Sequence, residues 1–312
     1  MNSDAVIFNK PGNVAVRQLS LCAAAEADVV VETVFSGIST GTEKMLFRGT
    51  MPTFPGMGYP LVPGYESVGR IVQAGSASGH EVGETVFVPG ANCFSEAAGL
   101  FGATASRLVV QGSRVFDVGA ADEEDAVLLA LAATALHAVR RAHGPVGLVV
   151  GHGVLGRLIA RIIMALDFAA PVVWEIAAER RNNNCGYPVI DPRDDRDGRY
   201  GAAIDASGDV SVIDRVVPRL HRQGELVLAG FYGERIGYSF TPAFMRELTL
   251  SIAAEFRPED VLDVIALVKT GRLSLKGLVT HRASPADVPS AYRTAFNDLD
   301  CLKMIIDWRN AA

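Results

Sequence analysis

Between residues 28 and 111, short β-branched runs alternate with Gly- and Pro-containing breaks: VVVETVFSGIS, SVGRIVQAG, ETVFVPG and SRLVVQ. Runs of this length bounded by turn residues predict short strands of a compact, partly closed β domain. The pattern changes near residue 120. ADEEDAVLLALAATALHAVRRAHG predicts a helix, with Asp122–Asp125 suiting its N-terminal end and Arg140 and Arg141 its C-terminal end. Apolar runs VGLVVG, PVVWEI, AAIDAS and GELVLAGF then alternate with helical segments VLGRLIARIIMAL and VSVIDRVVPRL. Near-continuous apolar strands separated by helices predict a parallel sheet covered on both faces, an α/β architecture. PEDVLDVIALVKTGRL and PADVPSAYRTAFND predict two more helices, CLKMIIDW a closing strand, and the polar run 181–201 a surface connection. Three segments are expected: 1–130, 131–254 and 255–312.

The glycine motif Gly151-x-Gly153-x-x-Gly156 follows the apolar strand Leu148–Val150 and opens a helix. In that setting Gly151 allows the tight turn, Gly153 lets backbone approach a pyrophosphate, and Gly156 lets helix and strand pack closely. His152, Val154 and Leu155 complete the loop and the first helical turn, whose free N–H groups suit an anion. The next strand ends at Glu175, placed to accept hydrogen bonds from a ribose diol and to repel a 2′-phosphate. This favours NAD; Arg180 and Arg181, just beyond, leave NADP open.

Composition narrows the setting. The chain has 312 residues, 49% hydrophobic and 21% charged, with a net charge of −6. That is enough for two domains, and the mildly acidic balance argues against nucleic acid as a partner. The four cysteines form no CxxC pair and lie near no His at metal-ligand spacing. Neither a signal peptide nor a membrane span is read; the longest apolar stretch, 126–139, falls short of the roughly 18 residues needed. A reduced, cytoplasmic chain is expected.

One short stretch, LVPGYESVG (61–69), places Tyr65 and Glu66 side by side at a Pro-Gly bend. With SGISTGTE (36–43), the glycine motif and the C-terminal return, it resembles the medium-chain dehydrogenase/reductase superfamily over the whole chain. The resemblance implies a GroES-like catalytic domain (1–130), a Rossmann NAD-binding domain (131–254) and a return to the catalytic domain (255–312). Ser39, Tyr65 and Ala130 stand where that superfamily usually carries zinc ligands, and the four-cysteine zinc lobe is absent, so a zinc-free member with no metal ligands is implied. By family position Thr134 approaches the nicotinamide, Ala206, Ser207, Gly230 and Phe231 line the cofactor, and Lys303 reaches the pyrophosphate. FSGISTGTEKMLFRGTMP and PLVPGYESVGR resemble more closely the bacteriochlorophyllide a dehydrogenase family of photosynthetic bacteria. That resemblance implies NAD-dependent oxidation of the 3-(1-hydroxyethyl) group of a chlorophyllide or bacteriochlorophyllide to 3-acetyl, and a homodimer joined through the central sheet edge.

Alcohol oxidation without zinc needs a side chain to take the hydroxyl proton. Tyr65 is the preferred relay, with Ser39, Thr40, Glu43 and Glu66 as orienting or proton-passing candidates. A conjugated macrocycle would ease the task by spreading the charge that develops as hydride leaves. The loop 45–59 carries Met45, Phe47, Phe54, Met57 and Tyr59, side chains suited to a flat polarisable ligand, or to folding onto their own core or a subunit contact. Tyr232 joins this expected pocket, and Lys44 or Arg48 is a candidate partner for a pigment carboxylate. A quinone or enoyl reductase without zinc, and a non-catalytic pigment carrier or sensor that binds NAD, remain as alternatives.

Overall fold

The structure is a computed structural model describing residues 1–53, 56–99, 101–119, 122–181, 184–196 and 198–309. The chain divides into two compact units, Met1–Ala130 with Leu275–Ala312, and Leu131–Ser274. The second unit therefore runs past the boundary at 254 expected from the sequence.

The first unit opens with β1 (Asn2–Lys10) and β2 (Asn13–Ser20), an antiparallel pair. Then come β3 (Asp28–Ile38), α1 (Thr42–Arg48), β4 (Ser67–Ala74), β5 (Thr85–Val88), β6 (Arg107–Gln111) and β7 (Phe116–Asp117). The second unit holds α2 (Leu129–Arg141), in which the unit boundary falls, then β8 (Val146–Val150), α3 (Val154–Ala165), β9 (Val172–Trp174), β10 (Val189–Ile190), β11 (Tyr200–Asp205), α4 (Val212–Val216), β12 (Leu220–Leu228), α5 (Phe240–Arg246), β13 (Thr249–Ile252) and α6 (Pro258–Lys269). The chain returns to the first unit with β14 (Val279–Ala283), α7 (Val288–Asn297) and β15 (Lys303–Asp307).

In the first unit the order is β14-β15-β3-β4-β5-β7, with β6 also on β3. β3 is bonded on both edges, which is why its sequence DVVVETVFSGI is almost continuously apolar and buried. One core cluster gathers Val29, Val31, Ile71, Val86 and Leu108. A second gathers Phe8, Ile38, Leu46, Leu61, Tyr292, Phe296 and Trp308.

The second unit is a six-stranded, all-parallel sheet ordered β10-β9-β8-β11-β12-β13. Strand order runs outward in both directions from β8 and β11, so a switch point lies between them. In open α/β sheets a ligand crevice lies beyond the carboxyl ends of strands at such a point. Helix α2 starts later than the sequence pattern suggests: residues 125–128 form a 3₁₀ turn. Asp122 accepts the Glu124 N–H at 3.0 Å, so the acidic cluster builds a local turn instead of the first α-helical turn. The polar run expected as a connection contains β10, which pairs with Val173 and Trp174. Among the described residues, no helix is long and apolar enough to cross a membrane.

Candidate active site

In the first unit, β3 ends at Ile38 and α1 begins at Thr42, so Ser39 and Thr42 lie on the turn into the helix. The Ser39 and Tyr65 hydroxyls share a hydrogen bond of 2.6 Å, the Thr42 hydroxyl donates to the Tyr65 oxygen at 3.1 Å, and the Ser39 and Thr42 hydroxyls are 3.3 Å apart. Thr42, not the exposed Thr40, completes the cluster. Gly64 makes the bend at φ +101°, and a Cβ there would sit 1.9 Å from the Thr104 hydroxyl, so only glycine brings Tyr65 in this close. The Tyr65 ring meets Phe101 edge-on at 5.0 Å. Burial, and then the adjacent Glu66 charge, push the Tyr65 phenol well above its usual 10. The phenol is therefore neutral at ordinary pH.

Two buried carboxylates lie beside this cluster. Glu66 is 0% exposed, and its Oε2 takes a 2.6 Å ion-paired hydrogen bond from Lys303, itself 2% exposed. Lys303 also donates to the Ile38 carbonyl at 3.1 Å. A Cβ on Gly37 would come within 2.1 Å of that same Glu66 oxygen, so β3 must be bare there. This corrects the expectation that Lys303 reaches a pyrophosphate: its ammonium is taken up by Glu66 and a carbonyl. Glu66 is correspondingly part of a buried charge pair rather than a free proton acceptor. Glu43 accepts the Ser39 N–H at 3.1 Å and the Tyr292 hydroxyl at 2.7 Å. It touches the hydroxyl cluster through the Ser39 backbone, not through Tyr65. Burial outweighs these hydrogen bonds and lifts its carboxyl to about 8.

Of the uses expected for the apolar loop, the structure shows packing onto the unit's own core. Met45, Phe47, Met57 and Tyr59 pack against the second core cluster. The Phe47 ring lies 5.7 Å from both Phe8 and Phe296, and the Tyr59 hydroxyl donates to the Leu46 carbonyl. Lys44 donates to the Phe296 carbonyl at 2.6 Å. Covering the unit's own core accounts for this loop's apolarity. Phe54 lies outside the described residues.

In the second unit the expected cofactor residues converge beyond the carboxyl ends of β8, β9, β11 and β12. A Cβ on Gly156 would meet the Gly151 carbonyl at 1.8 Å, and one on Gly151 would meet Ser207 N at 3.2 Å, while Gly153 faces open space. Gly153 caps α3 without a side-chain hydrogen bond, leaving its first N–H groups to a ligand. Ala206 and Ser207 follow β11. Gly230 and Phe231 follow β12 and pass close to Gly208. The side chains of His152 and Val154 are buried. Glu175 accepts the His152 N–H at 3.0 Å and the Ala177 N–H at 2.8 Å. Thr134 is half-buried in α2. Tyr232 belongs here and not to a substrate pocket: its hydroxyl donates to the buried Asp205 and its ring packs on the sheet core.

The two groups the fold can carry fit unequally. A tight glycine turn, an open position at Gly153 and an uncapped helix suit a dinucleotide phosphate. The positions expected for zinc offer a serine hydroxyl, a phenol held neutral and the methyl of Ala130, whereas zinc takes thiolate, imidazole or carboxylate. That donor set does not fit zinc.

Residues 25–120 match the Alcohol dehydrogenase GroES-like domain family. The fold resembles L-idonate 5-dehydrogenase of Escherichia coli, with a TM-score of 0.87 at 18% identity over 98% of each chain. The chain is 49% identical over 313 residues to 2-desacetyl-2-hydroxyethyl bacteriochlorophyllide A dehydrogenase of Rhodobacter capsulatus, and 50% identical over 318 residues to the same-named protein of Cereibacter sphaeroides, covering all of each chain. The chain belongs to the bacteriochlorophyllide dehydrogenase family. Thr42, bonded to Tyr65, and Tyr292, bonded to Glu43, join the candidate site and were missed by sequence reasoning. Thr42 carried a signal, since i,i+3 spacing from Ser39 at a helix start puts both on one side. Tyr292 showed only as a hydroxyl on the apolar face of α7, with Val288, Ala291, Ala295 and Phe296.

Proposed function

We propose that this chain oxidises the hydroxyethyl side chain of a bacteriochlorophyllide precursor to an acetyl group, with NAD as hydride acceptor and no catalytic metal. The observation that carries this is full-length identity of 50% to a dehydrogenase named for that substrate. The first unit is read as the catalytic domain and the second as the cofactor domain. Bound NAD would supply the hydride acceptor, held by the backbone of residues 151–156 with Glu175 on the adenosine ribose.

Tyr65 holds the substrate oxygen; as it takes that oxygen's proton it passes its own to Ser39, Ser39 passes one to Thr42, and the half-buried Thr42 releases one to water. The raised Tyr65 pKa supports a relay that exchanges one proton for another and never carries net charge. The macrocycle attached to the carbinol shares the charge that builds as hydride departs, which lessens the need for a Lewis acid. Lys303 and Glu66 fix β15 against β3 behind Ser39. A homodimer through the sheet edge is supported by the outer position of β13 and by the exposed Phe240, Phe244, Met245 and Ile252.

The test is incubation of purified protein with NAD or NADP and a hydroxyethyl pigment, followed by absorption spectroscopy and metal analysis. A red-shifted acetyl product with NAD, unaffected by chelator, is expected. Absence of product with authentic substrate overturns the activity. Stoichiometric zinc, with turnover lost on chelation, overturns the metal-free mechanism alone.

A further inference from the structure

The glycine motif leaves its second position free, and this chain places a histidine there. His152 is 0% exposed. Its Nδ1 lies 2.7 Å from the Arg180 carbonyl and its Nε2 3.0 Å from the Tyr187 hydroxyl. A carbonyl only accepts, so Nδ1 carries the proton, Nε2 accepts, and Tyr187 donates. The two rings meet edge to face at 5.7 Å. Burial first, then the Arg157 and Arg161 charges, hold the imidazole down to about 4 against the opposing hydrogen bond to Arg180, so this neutral tautomer persists at neutral pH. The backbone of the same residue is also engaged: its N–H donates to Glu175 Oε2 at 3.0 Å, and its carbonyl accepts from Arg157 Nε at 3.0 Å.

One residue of the glycine turn thus grips the segment beyond β9 at Glu175, Arg180 and Tyr187. Within that segment Arg181 is drawn inward. Its guanidinium donates to the Glu175 carbonyl at 3.1 Å, the Ile176 carbonyl at 2.9 Å and Asp191 at 3.0 Å. A cation able to meet a 2′-phosphate is turned onto Asp191, a carboxylate it shares with Arg193, while the carboxylate that suits a 2′-hydroxyl is held at the turn. We infer that His152 and Tyr187 are positioning residues that lock the Glu175–Arg181 segment and thereby set selectivity for a ribose 2′-hydroxyl over a 2′-phosphate. This rests on the dinucleotide reading of the glycine loop.

Calorimetric dissociation constants for NAD, NADP, 5′-AMP and 2′,5′-ADP test it, on wild type, Tyr187→Phe, His152→Phe and His152→Asn. The wild type is expected to prefer NAD and 5′-AMP. Tyr187→Phe and His152→Phe lower that preference about tenfold, by weakening the 2′-hydroxyl ligands and strengthening the 2′-phosphate ones. His152→Asn, which can still donate to the Arg180 carbonyl, recovers part of it. A folded Tyr187→Phe protein whose NAD:NADP ratio stays within about twofold of wild type, or that loses both affinities equally, overturns the inference. Wild-type protein that binds neither dinucleotide overturns the cofactor reading, and this inference with it.

Discussion

The two units build their candidate sites from different materials. In the second unit the work is done by backbone: bare glycines, open N–H groups and strand ends, with side chains mainly holding loops in place. In the first unit it is done by side chains that meet across the chain, Glu43 with Tyr292 and Glu66 with Lys303. A site of backbone is sensitive to added atoms, because a Cβ has nowhere to go. A site of buried side chains is sensitive to removed atoms, because a partner is left without its counter-charge.

The sharpest way to break the comparison is Lys303→Met, which strands Glu66 without its cation. It should cost about 3–5 kcal/mol in denaturant unfolding, and adding Glu66→Gln should restore most of the loss. If the single and double variants unfold alike, the pair is not what holds β15 to β3.

Next in size is the pH response of Glu43. Its carboxyl sits at about 8 in the fold against 4.5 for an ordinary glutamate. The folded protein therefore binds a proton that the unfolded chain has released. The contribution is complete below about 4.5 and disappears as pH rises to about 8, at about 1.4 kcal/mol per pH unit. Glu43→Gln imitates the protonated acid, so melting curves between pH 5 and 8 should flatten, with the variant no less stable than wild type at pH 8. A wild-type slope unchanged by the substitution rejects the assignment.

Tyr65→Phe should lower kcat about 100-fold with a smaller change in KM, because a relay acts in the transition state. An unaltered kcat across pH would remove Tyr65 from the proton path. The smallest expected change is in the second unit. Gly156→Ala pushes a methyl at the Gly151 carbonyl and should weaken NAD binding about tenfold by titration. A matching loss on removing the Glu175 carboxylate instead, with Gly156→Ala silent, would make that site one of side chains too.

What the sequence shows follows the same division. Gly151, Gly153, Gly156 and Glu175 are local in the chain, and a strand before them and a helix after them give the motif its meaning. The parallel sheet follows from uninterrupted apolar runs such as Val146–Val150. In contrast, Glu66 and Lys303 are 237 residues apart, and no local pattern couples them. Family position implies that Lys303 reaches a pyrophosphate, and the apolar run Met304–Ile306 after it marks only a strand. Only the pairing of β15 with β3 shows where its amine goes. The Met45–Tyr59 loop is ambiguous for a different reason. Met and Phe suit a flat ligand and a protein core equally well, and composition cannot separate the two.

The antiparallel union of β15 with β3 has a consequence for how the molecule comes into being. A ribosome that has released the first 130 residues has made Glu66, but not the lysine that neutralises it. Throughout synthesis of the intervening sheet, the carboxylate must stay hydrated or protonated, and the charge pair of the first unit forms only when residue 303 has left the exit tunnel. Completion is thus reserved for chains that have been translated past residue 303.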